Sequence, residues 1–564
     1  MFSTYTPPTY AYRCSDAQRH GQVLRHPVVV VGAGPVGLTA ALDLAQRGVP
    51  VLLLDDNNTV SVGSRAVCYA KRTLEVWHRL GVAPPLVQRG IQWKVGKVFY
   101  RDRLVYRFDL LPEAQHQQPA MINLQQYHLE ETLVAACERE PGITLAWQHK
   151  LVALQQRDDH VALTVETPDG PFQIEAQWVV ACDGANSDVR RMVGAAFTGQ
   201  RFDDRFLIAD VVMEPGAGAA TASGPGAGLL QPGAEPERWF WFDPPFHPGQ
   251  SVLLHKQADN VWRIDFQLGR DADPEVEKQP ERVVPRIRAM LGDGVPFELE
   301  WVSVYQFACR RIDRFRHGRV LFAGDSAHQV SPFGARGANS GVQDVDNLAW
   351  KLALVIQGQA PEALLDSYHH ERARAADDNI AHSTRSTDFI TPKSAASLRY
   401  RDAVLALAET EAFARPWVNS GRLSRPTPCP DSPLNTADED HFASEMRPGT
   451  PCSDAPVQAG GQAGWLLEHL GRGFVVLVFG QRPPLQQLAA GAVRAQLLHV
   501  GSDLHDPQGL LAQRYDAHRD TTYLIRPDQV VAARWRGFDA ERIAAALHGA
   551  LGTNLGVKEA HACD

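Results

Sequence analysis

Hydrophobic and polar positions near the start of the chain follow the order of a strand, a helix and a second strand. Residues 28–31 are a run of valines, which is typical of a strand buried on both faces. Alanines and leucines then recur at helical spacing over residues 40–45, and a second apolar run, residues 51–54, ends at Asp55. The pattern predicts a βαβ unit.

Further along the chain, the period of the pattern changes. Residues 126–137 have the 3.6-residue period of an amphipathic helix. Between residues 201 and 300, apolar and polar positions alternate as in an antiparallel sheet, around a Gly- and Ala-rich stretch at 214–236 that predicts a flexible loop. Other segments with strand character are residues 151–154 and 161–164, which predict a hairpin, and residues 178–181, 251–255 and 262–268.

The last part of the chain follows a Pro-rich linker at residues 425–433. Strands are predicted at residues 474–479, 495–500, 523–525 and 530–533, with a closing helix at residues 540–551. An order of strand, helix, strand, hairpin and helix is typical of a thioredoxin-like domain, and Arg526, Pro527 and Asp528 form the turn of its hairpin. Because the chain has no C-x-x-C pair, we expect a structural or dimerisation role for this domain.

The three glycines of the first turn have separate physical roles. Gly32 permits the turn, Gly34 lets a pyrophosphate approach the backbone, and Gly37 lets the helix pack on the strand. The helix N-terminus binds phosphate without a basic side chain. Asp55 lies where an acidic residue accepts hydrogen bonds from a ribose diol, which favours FAD or NAD over NADP. The turn alone predicts a dinucleotide and leaves its identity open.

A second candidate for cofactor binding lies in residues 320–351. A buried strand ends at the Gly-Asp pair 324–325, where open α/β sheets bind ligands. Residues 335–339 then lead into a long helix, and the spacing of Ser340 and Gln343 predicts a capping box at its start. The free amides and positive end of this helix suit the negatively charged edge of a reduced flavin.

Length and composition limit the classes of protein. The 564 residues predict two to four domains. A net charge of −9, from 56 basic and 65 acidic residues, argues against nucleic-acid or anionic-membrane binding. The longest apolar runs have strand length, and the polar residues 1–25 predict a loosely ordered tail without a signal sequence, so we expect a cytoplasmic protein. Eight cysteines without ligand spacing predict reduced thiols and no metal site.

Three fingerprints together resemble the single-component FAD-dependent aromatic hydroxylases, the para-hydroxybenzoate and phenol hydroxylase group. They are the glycine turn, the Asp-Gly element around Asp183, and the Gly-Asp element at 324–325. The likeness spans residues 27–392, and residues 334–352 are most similar to 3-(3-hydroxyphenyl)propionate hydroxylase-like enzymes. The resemblance implies FAD as the cofactor.

The implied fold is an α/β multidomain architecture with a Rossmann-like FAD-binding domain, an inserted antiparallel substrate sheet and a C-terminal thioredoxin-like domain. The expected divisions are the tail at 1–25, a discontinuous FAD-binding domain at 26–200 and 301–395, the substrate-binding sheet at 201–300, a helix and linker at 396–450, and the thioredoxin-like domain at 451–564.

The resemblance also implies site residues. Those implied to bind FAD are Gly32, Gly34, Pro35, Gly37, Asp55, Arg65, Gln126 (with Gln125 as an alternative), Asp183, Gly324, Asp325, Pro332, Gly337, Ala338 and Asn339. Asp183 and Arg190 are implied to face the approach of the nicotinamide. Pro332 is implied to place its carbonyl near the flavin C4a, and Asn339 to lie beside the pyrimidine edge. His328 is expected only to orient local backbone.

The implied reaction is hydroxylation of a small phenolic substrate by a homodimeric enzyme. NADH or NADPH reduces FAD, O2 adds at C4a, and the hydroperoxide transfers its distal oxygen ortho or para to the phenol hydroxyl. A closed apolar pocket must exclude water, and we expect it around residues 239–242 and 261–267. Candidates for deprotonating or orienting the phenol are His247, His255, Tyr305 and Tyr69, although such residues in strands are more often structural.

Two alternatives remain open. Residues 239–243 resemble the W-x-W-x-I-P element of flavin-dependent halogenases, with Asp243 in place of isoleucine, although alternating tryptophans also line one face of a strand. A requirement for halide and a separate flavin reductase would favour a halogenase. The second alternative is a non-catalytic flavin-fold protein that acts in assembly through its C-terminal domain, and a colourless purified protein would favour it.

Overall fold

The structure, a computed structural model, describes residues 4–214, 224–225, 228, 231, 233–418, 423–517 and 520–555. The stretch expected as a flexible loop, residues 214–236, lies largely outside the described residues. Among the residues that are described, no helix is both long and apolar enough to cross a membrane.

A largely parallel sheet forms the centre of the first body. Its strands, from one edge to the other, are Arg316–His317, Val320–Phe322, Phe172–Ala181, Leu24–Val31, Val51–Asp55 and Ile143–Trp147, with the hairpin Lys150–Gln156 and Val161–Glu166 beside Phe172–Ala181. The pairings from Val320–Phe322 across to Ile143–Trp147 are parallel. The glycine turn, the Asp-Gly element and the Gly-Asp element therefore follow three adjacent strands at the same edge of the sheet.

The helices that cover this sheet are Pro35–Gln46, Lys71–Arg79, Ala83–Arg89, Gln126–Arg139, Asp188–Met192, Gly337–Ile356 and Asp366–Ile390. The starts of Pro35–Gln46 and Gly337–Ile356 approach each other closely at Gly341. A Cβ at Gly341 would lie 2.6 Å from Val36 Cγ2 and 3.1 Å from Gly324 Cα. Glycine at this position thus allows two helix N-termini to converge on one place beside the sheet edge.

A seven-stranded sheet, antiparallel except for one pairing, packs against the first body. Its strands in order are Glu298–Tyr305, Arg205–Val212, Val261–Leu268, Ser251–Lys256, Glu237–Phe242, Val95–Tyr100 and Arg103–Asp109. The alternating pattern predicts most of the central strands. However, the sheet also includes two strands from residues 95–109, outside the expected 201–300, and the strand Glu298–Tyr305 continues beyond residue 300. The parallel pairing of Glu237–Phe242 with Val95–Tyr100 joins these distant segments, a contact that no local pattern encodes.

Smaller elements connect the large sheets. Two three-stranded sheets consist of Phe197–Arg201, Ala308–Ile312 and His328–Gln329, and of Cys68–Ala70, Met121–Asn123 and Ile91–Trp93. The helices outside the first body are Asp16–Arg19, Pro274–Glu277, Pro280–Leu291, Ala395–Thr410, Arg415–Val418, Leu510–Arg514 and Ala540–Ala550. Pro280–Leu291 packs on the face of the seven-stranded sheet that points away from the first body.

The C-terminal sheet has the strand order Gln487–Ala490, Val493–Val500, Phe474–Phe479, Thr522–Ile525 and Val531–Trp535, beside the hairpin Pro456–Ala459 and Gln462–Trp465. The four strands and the closing helix predicted from the sequence are confirmed. The helix expected between the first two is wrong, because the fully described residues 480–492 form turns and the strand Gln487–Ala490. Pro483 and Pro484 explain the difference, since proline disfavours helix both at its own position and before it.

The N-terminal segment packs on the first body. Tyr10 stacks on Trp147 with ring centroids 4.4 Å apart, and Tyr5 stacks on Tyr127 at 4.1 Å. Residues 4–25 are therefore not the loosely ordered tail that their polar composition predicts. The aromatic side chains of this segment bury apolar surface that a count of polar residues does not reveal.

Candidate active site

The three glycines of the first turn differ in what surrounds them. Gly32 has a φ of +101°, and a Cβ there would lie 2.5 Å from the carbonyl oxygen of Cys182. A Cβ at Gly37 would lie 1.9 Å from the carbonyl oxygen of Gly32. A Cβ at Gly34, in contrast, would meet no atom within 4 Å. Gly32 and Gly37 are required by protein packing, whereas Gly34 borders open space at the helix N-terminus, where a phosphate can approach.

Asp55, the last residue of the strand Val51–Asp55, is hydrogen-bonded to this turn. Its carboxylate accepts hydrogen bonds from the amides of Ala33 (2.6 Å) and Asn57 (2.8 Å). Burial raises the pKa of the Asp55 carboxyl above its ordinary value. Each carboxylate oxygen keeps a second lone pair, so the expected ribose contact is compatible with the bond to the turn.

Asp325 is an acidic residue at the sheet edge, directly after the strand Val320–Phe322 and Gly324. The residue is exposed to the cleft, yet surrounding protein raises the pKa of its carboxyl by desolvation. In the described part of the chain it accepts no hydrogen bond. The neighbouring Gly324 amide donates to Asp344 Oδ2 (3.0 Å), and the same oxygen is hydrogen-bonded to His328 Nε2 (2.7 Å). His328 thus supports the turn through Asp344 and leaves Asp325 free to accept from a ligand.

The long helix begins four residues earlier than expected, since the predicted capping box makes Ser340 the N-cap. Its N-cap is Arg336 and its first residue is Gly337, without a side-chain cap. The capping box predicted at Ser340 is wrong, because the Ser340 hydroxyl accepts from Arg372 (3.3 Å) and Asn379 (3.2 Å). The Ser340 amide donates to the Arg336 carbonyl. The amides of residues 337–339 therefore lie at the open helix end, and no side chain caps them.

The Asn339 side chain ties the helix start to the strand Cys68–Ala70. Its Oδ1 accepts from the Ala70 amide (2.8 Å), and its Nδ2 donates to the Cys68 carbonyl (2.9 Å). The side chain expected beside the pyrimidine edge is thus already bonded to backbone, and it fixes the wall of the cleft at this point.

Asp183 and Arg190 connect the loops after two adjacent strands. Arg190 donates to the carbonyls of Ala185 (2.8 Å) and Ser326 (3.0 Å), so it joins the Asp-Gly and Gly-Asp elements. Asp183 Oδ2 accepts from the Val189 amide (3.0 Å), whereas Oδ1 is buried and has no partner within the described residues. Burial raises the pKa of the Asp183 carboxyl.

Gln126, and not Gln125, contacts the loop that carries Arg65. Gln126 Oε1 accepts from the Ala66 amide (3.1 Å). Gln125 is fully buried and donates to Ala258 at the seven-stranded sheet (3.0 Å). Arg65 is exposed, with a φ of +41°. The geometry favours Gln126 of the two alternatives.

One face of the seven-stranded sheet points toward the turn at Pro332, and we call it the near face. Phe333, next to the exposed Pro332, packs against Phe206 of this sheet (ring centroids 4.7 Å apart) and against Phe307 (5.4 Å). Phe242 of the same face contacts Phe389 at 5.5 Å. The cleft thus has the helix start on one side and an aromatic sheet face on the other.

The near face also carries polar side chains. They are Arg238, His255, Arg263, Asp265 and Tyr305, whose backbone register places them on neighbouring strands. Except for His255 and Tyr305, sequence reasoning missed them. One sequence pattern could have identified them. In the strand Val261–Leu268, Arg263, Asp265 and Gln267 alternate with apolar residues, which indicates that one face of the sheet is polar.

Two of the four candidates for handling the phenol lie on this face. Among the described residues, the Tyr305 hydroxyl is buried without a hydrogen-bond partner, and burial, together with Asp265, raises its pKa well above the ordinary value. Burial and the charges of Arg263 and Arg238 lower the pKa of His255 well below its ordinary value. His255 Nε2 is also buried without a partner in the described structure.

The structure does not bring His247 and Tyr69 into the cleft. His247 donates to the Gln267 carbonyl (2.7 Å) and contacts Phe266, on the opposite face of the sheet. The Tyr69 hydroxyl donates to the Ala66 carbonyl (3.0 Å), and its ring packs on Trp77 in the core. His247 lies in the turn after the strand Glu237–Phe242, and Tyr69 lies in the strand Cys68–Ala70; the sequence alone did not show which way either side chain points.

Two of the residues around which a pocket is expected, within 239–242, also point away from the cleft. Trp239 and Trp241 pack on the far face, beside Phe99 and the helix Pro280–Leu291. Phe240 and Phe242, between and beyond the tryptophans, face the cleft. The two tryptophans that resemble a halogenase element therefore belong to the hydrophobic core on the far face of the seven-stranded sheet.

The cleft residues fit FAD. Open space at Gly34 beside a helix N-terminus suits a pyrophosphate. The unpartnered carboxylate of Asp325 suits a ribityl hydroxyl, and the uncapped amides of residues 337–339 suit the pyrimidine end. FAD supplies redox and oxygen-activating chemistry when bound.

Replacing Asp325 with alanine is expected to weaken FAD binding by about 1–3 kcal/mol, because a ribityl hydroxyl loses its acceptor. Asp325→Asn keeps an acceptor oxygen and should lose less. Fluorescence titration of the apoprotein with FAD measures both affinities. Unchanged affinity in the alanine variant would show that this carboxylate does not bind the cofactor.

Comparison with known proteins agrees with this geometry. Residues 25–383 match the family described as FAD binding domain, which is more than half of the chain. The 3-(3-hydroxy-phenyl)propionate/3-hydroxycinnamic acid hydroxylase of Mycolicibacterium smegmatis is 28% identical, and the match covers 93% of each chain. The 6-methylpretetramide 4-monooxygenase of Streptomyces rimosus is 30% identical, and the match covers 90% of each chain.

Two solved structures are similar in fold. The flavin-dependent monooxygenase PieE in complex with FAD and substrate has a TM-score of 0.76 and 24% identity, covering 94% of this chain and 99% of that one. The ternary complex of aklavinone-11 hydroxylase with FAD and aklavinone has a TM-score of 0.74 and 24% identity, covering 93% and 98%. The chain belongs to the FAD binding domain family, and it is an FAD-dependent aromatic hydroxylase.

Proposed function

We propose that this protein uses NADH or NADPH to hydroxylate a phenol held between the Pro332 turn and the near face. The observation that carries the proposal is the arrangement of unpartnered groups around one cleft. Asp325 and the amides of residues 337–339 lie on the cofactor side, and the Tyr305 hydroxyl lies on the sheet side. Relatives named for hydroxylating 3-(3-hydroxyphenyl)propionate support a phenolic substrate.

Tyr305 is the group that we assign to the phenol oxygen. Because the pKa of its hydroxyl is far above neutrality, Tyr305 stays protonated and can donate a hydrogen bond to the phenol or phenolate. His255 is neutral near pH 7 and stays a second candidate through its free Nε2. The remaining expected contacts, including Arg65, Gln126, Asp183, Arg190 and the Pro332 carbonyl, stay proposals.

Aromatic side chains of the near face exclude water from the reacting atoms. They are Phe206, Phe240, Phe242, Phe307 and Phe333. Exclusion of water protects a reactive oxygen donor and strengthens the hydrogen bond from Tyr305. We also propose that residues 26–200 and 301–395 bind FAD while the sheet around 201–300 binds the substrate, in a homodimer located in the cytoplasm.

Replacing Tyr305 with phenylalanine is expected to lower kcat/KM for phenol-stimulated NAD(P)H oxidation by about tenfold, because one hydrogen bond to the phenol oxygen is lost. The coupled product is identified by mass as substrate plus one oxygen. Tyr69→Phe is the matched control, since its hydroxyl bonds core backbone away from the cleft.

The proposal about Tyr305 is contradicted if both phenylalanine variants retain the kcat/KM of the unmodified protein, or if both lose it equally. If no phenol stimulates oxidation and no oxygenated product forms, phenol hydroxylation itself is wrong for this chain.

A further inference from the structure

Exposed hydrophobic side chains are concentrated in one stretch of the chain, residues 398–417. Among the described residues, half of the large hydrophobic side chains that are exposed lie there, at Leu398, Tyr400, Leu407, Phe413 and Trp417. The others are scattered, at Val23, Val62, Leu104, Val276 and Leu485. Single exposed apolar residues are ordinary, whereas a contiguous group of them marks an interaction site.

The helix Ala395–Thr410 is apolar on two opposite sides. Its inner side packs on the seven-stranded sheet, since Val404 and Leu405 belong to the same hydrophobic cluster as Phe242 of the near face. On the outer side, helical spacing aligns a row of exposed residues with one charge among them: Ala396, Arg399, Tyr400, Ala403, Ala406, Leu407 and Thr410. A surface helix ordinarily presents charged and polar residues to water, so this side has the composition of a protein contact.

Two aromatic side chains extend this row beyond the end of the helix. The short helix Arg415–Val418 folds back, because Arg415 Nε donates to the Ala408 carbonyl (3.2 Å). Phe413 is 59% exposed and Trp417 is 50% exposed, and their ring centroids lie 5.6 Å apart. We call the combined surface the outer face, which consists of Leu398, Tyr400, Ala403, Ala406, Leu407, Phe413 and Trp417.

The outer face is large enough for a stable protein contact. An aromatic side chain has about 150–250 Å² of surface, so three half-exposed rings and two leucines present roughly 400–500 Å². The exposed alanines and the polar rim add to this area. The total approaches the area of about 800 Å² that each partner buries in a standard interface.

The charges beside the outer face suit a second copy of the same helix. Arg399 lies in the first half of the helix and Glu411 directly after its end, and both are exposed. Within the described residues, neither side chain has an ion-pair partner. Leu405 lies midway between them in the sequence. An antiparallel helix pair with its two-fold axis at this level therefore places Arg399 of one copy opposite Glu411 of the other, twice.

The centre of the outer face permits close packing of two helices. Ala403 and Ala406 lie beside the level of the axis, and their small side chains let two helix axes approach to about 8 Å. The nearby carboxylates of Asp402 and Glu409 are each paired with an arginine of the same chain, at 2.9 and 3.1 Å. They are therefore neutralised and do not repel the same groups of a second copy.

We propose that the outer face is the contact between two copies of this chain, arranged as an antiparallel helix pair about a two-fold axis. This inference rests on the proposed homodimer, whose surface it identifies, and it does not depend on the proposed hydroxylation. It differs from the expectation that the C-terminal domain mediates dimerisation. Among the described residues of that domain, Leu485 is the one exposed large hydrophobic side chain.

Sedimentation equilibrium of the FAD-loaded protein at several concentrations tests this contact. The unmodified protein is expected to have twice the mass of the chain. Ala403→Glu places a carboxylate of each copy next to the axis, so the Kd of the dimer should rise at least about 100-fold because like charges meet in a desolvated contact. Ala403→Lys should have the same effect, and both substitutions keep a good helix former. An equal mixture of the two variants should dimerise again, since opposite charges then meet across the axis.

Leu485→Glu is the matched control, because it introduces the same charge at an exposed hydrophobic residue of the C-terminal domain. It should leave the dimer intact, and FAD content and thermal unfolding check that each variant is folded. The inference is overturned if Ala403→Glu remains a dimer, or if the two Ala403 variants fail to associate when mixed. A dimer that only Leu485→Glu dissociates would place the contact on the C-terminal domain and overturn it as well.

An unmodified protein that stays monomeric at every concentration would contradict both this surface and the proposed homodimer, and it would leave the outer face to a different partner. Because the mass is measured without turnover, none of these outcomes depends on whether a phenol is hydroxylated.

Discussion

Replacing Gly34 with valine is expected to yield a folded protein that does not retain FAD. A Cβ at Gly34 meets no protein atom within 4 Å, and the residue has an ordinary extended conformation with a φ of −77°. The Cβ of the new side chain therefore contacts no protein atom, and the backbone conformation suits valine. It occupies the space through which a pyrophosphate reaches the helix N-terminus, so FAD affinity should fall at least about 100-fold.

The experiment compares flavin content after purification, FAD affinity by titration and thermal unfolding of the apoprotein. Gly537→Val is the matched control, because that glycine also has no atom within 4 Å of its Cβ position and lies in the C-terminal domain. It should bind FAD normally. A Gly34→Val protein that is fully loaded with FAD would show that the pyrophosphate does not pass this glycine.

Replacing Arg526 with methionine is expected to destabilise the protein by about 3–5 kcal/mol, the cost of leaving a buried charge without its partner. Arg526 is 1% exposed and bonds both carboxylate oxygens of Glu371, at 2.5 and 3.0 Å. Lys351 bonds the same carboxylate at 2.7 Å. Although burial alone would raise the pKa of Glu371, the charges of Arg526 and Lys351 hold that pKa well below its ordinary value.

This network also joins the C-terminal domain to the helix that starts at the cleft. Arg72 donates to the Asp528 carbonyl (2.7 Å) and bonds Asp346 of the long helix (2.9 Å). Asn347 of the same helix donates to Asp528 (3.2 Å). Loss of Arg526 should therefore weaken the packing of the C-terminal domain against the long helix as well as the hairpin turn itself.

Chemical denaturation of the FAD-loaded protein measures the effect of Arg526→Met. Arg482→Met is the control in the same domain, because the Arg482–Asp503 pair is solvent-exposed and such pairs contribute about 0–1 kcal/mol. If both variants lose the same small amount of stability, the buried network does not hold the C-terminal domain as argued.

Much of the cofactor side of the site could be predicted from the sequence. The roles of Gly32 and Gly37 could be predicted because the turn gives Gly32 a positive φ and a side chain at Gly37 would meet the Gly32 carbonyl five residues earlier. The role of Gly34 follows from its place at the helix N-terminus, where a phosphate approaches the backbone. Asp325 could be placed for a similar reason, because a strand that ends at a Gly-Asp pair delivers its carboxylate to the sheet edge. The prediction of a capping box at Ser340 was wrong, because residues 337–339 are already part of the helix and the Ser340 hydroxyl accepts a hydrogen bond from Arg372.

The substrate side could not be predicted in the same way. His247 and Tyr305 look equivalent in the sequence, yet His247 lies in a turn against the core on the far face of the sheet, and Tyr305 lies on a strand with its side chain toward the cleft. A strand alternates its side chains between two faces, and only its pairing and register decide which face meets the rest of the protein. Those pairings join segments as distant as residues 95–100 and 237–242.

The sequence by itself determined the family, the FAD-binding turns and most secondary structure, because each is encoded within a few neighbouring residues. Tertiary structure alone decided which polar groups remain without a partner. In the sequence, nothing distinguishes Arg238 from other arginines in strands. In the structure it is buried, and Asp265, on the same sheet, is bonded to Arg263. Whether such a group has a partner depends on every residue packed around it, and that is a property of the whole fold.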